Sequence, residues 1–76
     1  MARSVRDLAV GESAVLGDSG LAPAVRRRCV EMGLRPGEQV TVVQRAVGGA
    51  RVVSVQGSRI ALDGRTAGQL SLREAP

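Results

Sequence analysis

The side chains in this sequence that could do chemistry are arginines, carboxylates, serines and one cysteine, because histidine and lysine are absent. The densest charge is the run Arg26-Arg27-Arg28, and Arg35 extends it. Arginine suits protein interfaces, since its planar guanidinium binds carboxylates in a bidentate geometry and is weakly hydrated. We therefore predict that these four arginines bind an acidic partner. The alternative is a solvated helix face with Glu31 as its neighbouring acid.

Catalysis is not expected from the remaining polar residues. No histidine is present to activate a serine, and the sequence contains neither a Gly-x-Ser-x-Gly elbow nor a Walker A phosphate loop. Gly48-Gly49 is interpreted as a hairpin tip rather than a phosphate cradle. The sequence therefore predicts a protein that is not an enzyme, with no catalytic residues and no cofactor.

A metal site is not expected either. The seven carboxylates are spread along the chain without a close ligand pair, so we interpret them as solvated surface groups. The alternative is a weak site shared between two copies of the chain. Cys29 lies on the apolar face of a predicted helix and is interpreted as a small buried hydrophobe rather than a reactive or metal-binding thiol.

Length and composition limit the functional classes further. The 76 residues are expected to form a single domain, 1–76, and the net charge is +4. Aromatic residues are absent, which excludes a stacking platform for single-stranded nucleic acid. One cysteine permits no internal disulfide, and no apolar run approaches the roughly 20 residues that span a bilayer. We expect a cytoplasmic protein without membrane insertion.

The hydrophobic pattern predicts a mainly β fold with one helix. Val25, Cys29 and Met32 recur at helical spacing, which predicts one α-helix at about residues 22–33. Alternating apolar residues between glycines predict short strands at residues 5–10, 12–17, 39–46, 51–56, 59–63 and 69–73. The predicted core comprises Leu8, Leu16, Val25, Cys29, Met32, Val40, Val42, Val53, Val55, Ile60, Leu62, Leu70 and Leu72.

Glycine and proline mark the joints between these elements. Gly33 is expected to end the helix in the left-handed conformation. Pro36 and Gly37 fit the two central positions of a type II turn, because proline fixes φ and glycine accepts a positive φ. Gly49 is expected in the hairpin tip after the third predicted strand.

The segment 23–37 resembles the helix and turn of the FeoA family, small SH3-like proteins that accompany the FeoB ferrous iron permease. The resemblance spans about residues 5–73, and its further matches are Leu8, Gly11, Val40, Val42, Ala46, Gly49, Ile60, Ala61, Leu62, Ala67, Leu70 and Leu72. The chain departs from the family pattern at Cys29, usually a leucine, at Asp63, typically an arginine, and in the loop 47–51, which lacks the family's prolines.

The resemblance implies an SH3-like β-barrel of five or six antiparallel strands with the inserted helix. It also implies a cytoplasmic accessory protein that docks on a FeoB-type permease. Arg26, Arg27 and Arg35 would then supply charged contacts, and Gly33 and Gly37 the backbone geometry. A weak homo-oligomer is compatible with the sequence.

Two other functions remain open at this point. The first is an adaptor or regulatory domain akin to the C-terminal SH3-like domain of iron-dependent repressors. Because no DNA-binding or dimerisation segment accompanies the matching region, we expect the transport accessory instead. The second is a small basic nucleic-acid binder, which is not expected because a charge of +4 is modest and no reader motif is present.

Overall fold

The computed structural model describes residues 3–18 and 20–73, so the predicted domain's ends, residues 1–2 and 74–76, lie outside the described residues. Four strands form one antiparallel sheet in the order β1-β2-β3-β4. They are β1 (Ser13–Val15), β2 (Gln39–Arg45), β3 (Arg51–Val55) and β4 (Ser58–Leu62). The α-helices are α1 (Pro23–Glu31) and α2 (Gly64–Gln69), and short 3-10 turns lie at Val5–Asp7 and Val47–Gly49.

A bulge and two isolated bridges modify this sheet. A bulge between Val42 and Gln44 shifts the β2–β3 register and increases the local twist. Isolated bridges join Ser4 to Ser71 and Leu16 to Leu72. These bridges bring the chain's first and last described segments together beside β1.

Alternation along the strands builds the core. Val40 and Val42 of β2 and Val53 of β3 are fully buried, and their neighbours in sequence are more exposed. This is the period of two expected of strands with one buried face. The remaining core residues are Val5, Leu8, Leu16, Cys29, Leu34, Val55, Leu62, Ala67 and Leu70.

The predicted helix is confirmed, and the part of the chain that the structure describes has four strands, fewer than the five or six expected. The prediction of a strand at residues 5–10 is wrong. There the Ser4 backbone N–H donates to the Asp7 carboxylate at 2.9 Å, and this local bond supports a 3-10 turn over Val5–Asp7.

The strand predicted at residues 69–73 is also wrong, since Gln69 ends α2 and only bridges follow it. Asp63 starts α2 by accepting a hydrogen bond from the Thr66 backbone N–H at 2.7 Å. Asp63 is thus an N-cap that satisfies a helix donor. With six residues, α2 is too short for a periodic pattern to predict it.

The core prediction is wrong at Met32, which is the C-cap residue of α1 and is 40% exposed. Val25, Ile60 and Leu72 are partly buried and pack against the core rather than within it. Among the hydrophobic residues that the structure describes, the prediction missed three that are buried, which are Val5, Leu34 and Ala67.

Candidate protein-interaction surface

Helix α1 is held at both ends by local geometry. Pro23 occupies the first helical turn, where a missing N–H has no cost. At the other end Gly33 has φ +90°, the Gly33 N–H donates to the Val30 carbonyl at 3.0 Å, and the Leu34 N–H donates to the Cys29 carbonyl at 2.8 Å. This pair of bonds is a Schellman motif, and it directs Leu34 into the core.

A turn follows directly and places Arg35 and Pro36 beside the helix. The Glu38 N–H donates to the Arg35 carbonyl at 3.0 Å, and Gly37 has φ +93°. A positive φ at the third position is the requirement of a type II turn. The turn leads into β2, so the rigid sheet fixes the position of Arg35 relative to α1.

The run of three arginines does not form one patch. Successive residues of an α-helix are about 100° apart around its axis. With Cys29 facing the core, this spacing places Arg26 on one flank of α1, Arg28 on the other and Arg27 on the outer side. Arg28 is therefore separated from Arg26, whereas Arg27 lies between the two flanks.

Arg26 and Arg35 lie on one groove between α1, the segment before it and the turn after it. This α1–turn groove has a volume of about 110 Å³ and is lined by Leu16, Gly17, Asp18, Leu21, Arg26, Cys29, Val30, Leu34, Arg35, Pro36 and Leu70. Its floor is apolar, because Leu16, Cys29, Leu34 and Leu70 belong to the core. The groove therefore combines an apolar floor with two guanidinium groups.

A shallower depression, which we call the outer shelf, continues the groove across α1. It is lined by Leu21, Pro23, Arg26, Arg27, Val30 and Glu31. Leu21, Arg26 and Val30 line both depressions. Val30 is 38% exposed, so the centre of the continuous surface is an aliphatic side chain open to solvent.

Arg28 lies apart from this surface, on a cleft between α1, β4 and α2. The cleft of about 130 Å³ is lined by Val25, Arg28, Cys29, Met32, Ala61, Leu62, Asp63 and Thr66. Hydrogen bonds from Thr66 lower the pKa of the Asp63 carboxyl, and the positive charge of Arg28 lowers it further. Of the four arginines predicted to bind a partner, Arg28 thus faces a carboxylate of its own chain.

Gly49 occupies the turn between β2 and β3 and lines neither the groove nor the shelf. It has φ +80°, and a Cβ there would lie 2.7 Å from Arg6 Nε. Its structural environment is the packing of the Val47–Gly49 turn against the Arg6 side chain. Of the other predicted turn residues, Pro36 lines the groove. Gly33 follows the end of α1 and Gly37 lies in the turn.

Sequence reasoning missed the buried Arg51, which is 5% exposed. Its Nη2 donates to the Arg6 carbonyl at 2.8 Å and its Nη1 to the Ala50 carbonyl at 2.9 Å. Arg51 alternates with Val53 and Val55 along β3, and this spacing was the signal that it points inward. The side chain ties the Val5–Asp7 turn to the start of β3.

Two observations bear on metal and thiol chemistry. Within residues 3–18 and 20–73, no group of three or more Cys, Asp or Glu side chains is placed to hold a metal ion. Burial raises the pKa of the Cys29 thiol above its ordinary value. A raised pKa reduces the thiolate fraction, and the thiolate is the form that reacts and binds metals.

No helix within the described part of the chain is long and apolar enough to cross a membrane. The family model of the FeoA domain matches residues 3–74. The chain belongs to the FeoA family. The predicted resemblance is therefore confirmed over nearly the whole sequence.

Solved structures of FeoA proteins are similar to the chain throughout. A crystal structure of the iron uptake regulatory protein FeoA is 26% identical with a TM-score of 0.86, and the match covers 96% of this chain and 97% of that one. The zinc complex of Stenotrophomonas maltophilia FeoA is 28% identical with a TM-score of 0.78, covering 93% and 89%. It is described as an SH3 domain protein and a candidate ferrous iron transport activating factor. The SH3-like fold is thus confirmed.

The same fold is present outside transport proteins. A manganese-dependent transcriptional repressor is 16% identical with a TM-score of 0.83, and the match covers 93% of this chain and 40% of the repressor. At this identity the similarity shows the fold alone. None of the curated proteins compared with the chain matches it.

Proposed function

We propose that this FeoA-family chain is a cytoplasmic accessory protein of ferrous iron transport that docks on a FeoB-type permease. Membership of the family supports the association with ferrous iron transport. The observation that carries the docking proposal is the α1–turn groove, in which Arg26 and Arg35 lie beside the exposed Val30 and an apolar floor. Arginine beside apolar surface is the composition enriched at protein interfaces.

The proposed mechanism is stoichiometric binding rather than catalysis. Arg26, Arg27 and Arg35 supply charge-assisted hydrogen bonds to carboxylates of the permease. Gly33 and Gly37 hold the turn that keeps Arg35 beside α1, since both have a positive φ. Arg28 contributes less to this interface because it lies on the other flank of the helix, near Asp63.

A second function is a regulatory domain like that of metal-dependent repressors. The repressor shares the SH3-like fold over 93% of this chain, and at 16% identity this similarity concerns the fold alone. The match covers 40% of the repressor, so in that protein the domain is part of a longer chain. The two proposed functions predict different partners, so a binding experiment can distinguish them.

The test is a titration of the labelled chain with the cytosolic GTPase portion of the permease from the same organism. Duplex DNA serves as the control ligand, and each titration is run at low and at physiological salt. We expect saturable binding to the permease that persists at physiological salt. Binding to DNA alone, with a steep salt dependence from counterion release, would contradict the proposal.

A further inference from the structure

Three arginines from separate segments meet at one end of the sheet. Arg45 ends β2 and lies directly opposite Arg51, the first residue of β3, so the two residues share one face of the sheet. Arg51 Nη2 donates to the carbonyl of Arg6 at 2.8 Å, which holds the Val5–Asp7 turn at the same place. We call Arg6, Arg45 and Arg51 the sheet-end cluster.

The positive charges of this cluster have no counter-charge. Arg51 is 5% exposed, and its Nε atom is buried without a hydrogen-bond partner among the described residues. In the same part of the chain, none of the three arginines forms an ion pair. Like charges directly opposite each other destabilise a pair of strands, and a buried charge is costly unless it is paired. An anion bound here would therefore relieve an unfavourable arrangement of charges.

Two carboxylates near this end of the sheet are held by helix caps instead. Asp7 follows Arg6 and accepts from the Ser4 backbone N–H at 2.9 Å. Asp63 follows Leu62, the strand partner of Arg51, and accepts from the Thr66 backbone N–H at 2.7 Å. Both carboxylates stabilise local turns of backbone, so the cluster keeps its positive charge.

The side chain of Arg6 lies on backbone that carries no side chains. A Cβ at Gly49 would lie 2.7 Å from Arg6 Nε, and a Cβ at Gly68 would lie 3.7 Å from Arg6 Cδ. Glycine at these two positions thus leaves the space that Arg6 occupies. Because Arg6 has fixed neighbours on both its main chain and its side chain, little conformational freedom is lost when an exposed guanidinium of this kind binds an anion.

The donors and the charge of the cluster suit a phosphate group better than a single carboxylate. Arg6 and Arg45 are exposed, and each guanidinium can donate two parallel hydrogen bonds to oxygen atoms. A phosphate monoester offers three such oxygens and a charge of about −1.5 to −2 at pH 7. Arg51 uses its Nη donors on carbonyls and adds a buried charge, which acts more strongly than one in water.

We propose that the sheet-end cluster binds the phosphate group of a small molecule. Arg6 and Arg45 contact the phosphate oxygens, and Arg51 holds Arg6 in place and supplies the third positive charge. The phosphate is either the free ion or part of an organic ester. The site shares no residue with the α1–turn groove or the outer shelf, so it does not rest on the function proposed above.

The direct test is a titration of the labelled chain with inorganic phosphate and with glycerol phosphate, followed by amide NMR. Acetate and chloride at equal ionic strength are the control anions. We expect saturable shifts at Arg6, Arg45 and Gly49 with phosphate, and at least about tenfold weaker binding of acetate. The tighter of the two phosphate ligands identifies the free ion or the ester as the source. Equal shifts with chloride or acetate, or no saturable shift with either phosphate ligand, would overturn the proposal.

Variants of the chain locate the site. Arg6→Gln and Arg45→Gln each remove one positive charge, and each is expected to weaken phosphate binding about tenfold. Arg59→Gln is the matched control, because Arg59 is an exposed arginine on β4 opposite Ser54, away from the cluster. An equal loss of affinity in Arg59→Gln would overturn the proposal by showing that only net charge matters.

Thermal unfolding gives a second readout that does not depend on NMR. A ligand that binds only the folded chain raises its Tm by mass action, whereas phosphate in general also stabilises proteins by exclusion from their surface. We therefore expect phosphate to raise the Tm of the parent and of Arg59→Gln more than that of Arg6→Gln. An equal rise in all three proteins would reveal only the general effect and would overturn the proposal.

Discussion

Two regions of this small domain use arginine in opposite ways. At the end of the sheet, Arg51 is buried and donates to the carbonyls of Ala50 and Arg6. Beside α1, Arg26 and Arg35 lie on an open groove with exposed aliphatic neighbours. A buried guanidinium that bonds to backbone carbonyls fixes the fold, whereas an exposed one beside apolar surface suits a partner. Substitutions in the first region should therefore change stability, and those in the second should change binding.

The largest effect is expected at Gly64, in the tightly packed region near the sheet end. A Cβ at Gly64 would collide with the backbone carbonyl of Gly48. Gly64→Ala should lower the free energy of unfolding by about 3 kcal/mol, because backbone on both sides must move. Urea denaturation followed by circular dichroism measures this change.

Gly68→Ala is the matched control, since Gly68 lies in the same helix and a Cβ there would meet nothing closer than 3.7 Å. Alanine has the higher helix propensity, so this variant should gain up to about 1 kcal/mol. A similar loss of unfolding free energy in both variants would contradict the close contact between Gly64 and the Val47–Gly49 turn.

A smaller loss is expected at Arg51. Arg51→Ala removes the donors to two carbonyls and leaves a cavity, which should cost about 2 kcal/mol of unfolding free energy. Arg27→Ala, on the exposed outer side of α1, should change it by less than about 0.5 kcal/mol. Thermal unfolding of the two variants in parallel gives the comparison, and equal losses would remove the contrast between the two regions.

The next effect is the pH dependence contributed by Asp63. Its pKa is lowered in the folded chain by hydrogen bonds from Thr66, so it stabilises the fold above the ordinary pKa of about 3.9. This stabilisation is lost as the pH falls through the lowered pKa. Asp63→Ala should therefore be less stable than the parent at pH 7, and the difference should shrink in acid.

Asp63→Asn sharpens this test, because asparagine retains an N-cap acceptor but does not titrate. The Asp63→Asn variant should keep most of the parent's unfolding free energy at neutral pH. It should lose the part of the pH dependence of stability that Asp63 contributes. Glu12 also has a lowered pKa, from the hydrogen bond with the Ala9 backbone N–H and from Arg3, but it remains in every variant. A parent and an Asp63→Ala variant with parallel pH profiles would contradict the capping role.

The sequence was most informative where local geometry decides the structure. The helix, its glycine end and the proline-glycine turn follow from residue types with few conformational options, such as Gly33 and Pro36. The prediction missed the buried Leu34, although an apolar residue after a capping glycine commonly packs inward. Its burial could have been predicted.

Where long-range contacts decide the structure, prediction failed. The six residues of α2 depend on the Asp63 cap and on packing against the Val5–Asp7 turn, which a pattern of alternation at Leu70 and Leu72 does not reveal. The α1–turn groove and the cleft at Arg28 likewise form only because segments distant in sequence lie beside α1. Helical geometry predicts that Arg26 and Arg28 lie on opposite flanks of α1. The proximity of Asp63 to Arg28 depends on the fold, because the two residues are far apart in sequence.

The central claim is that the surface formed by α1 and the following turn is where this chain contacts the permease. The most direct measurement is a set of amide NMR spectra of the labelled chain with increasing amounts of the cytosolic permease portion. We expect the largest shifts at Leu21, Val30, Arg35 and Gly37, and their loss in Arg26→Glu/Arg27→Glu, with the dispersion of a folded domain retained. Shifts centred on the Val47–Gly49 turn instead, unchanged in the double variant, would contradict the claim.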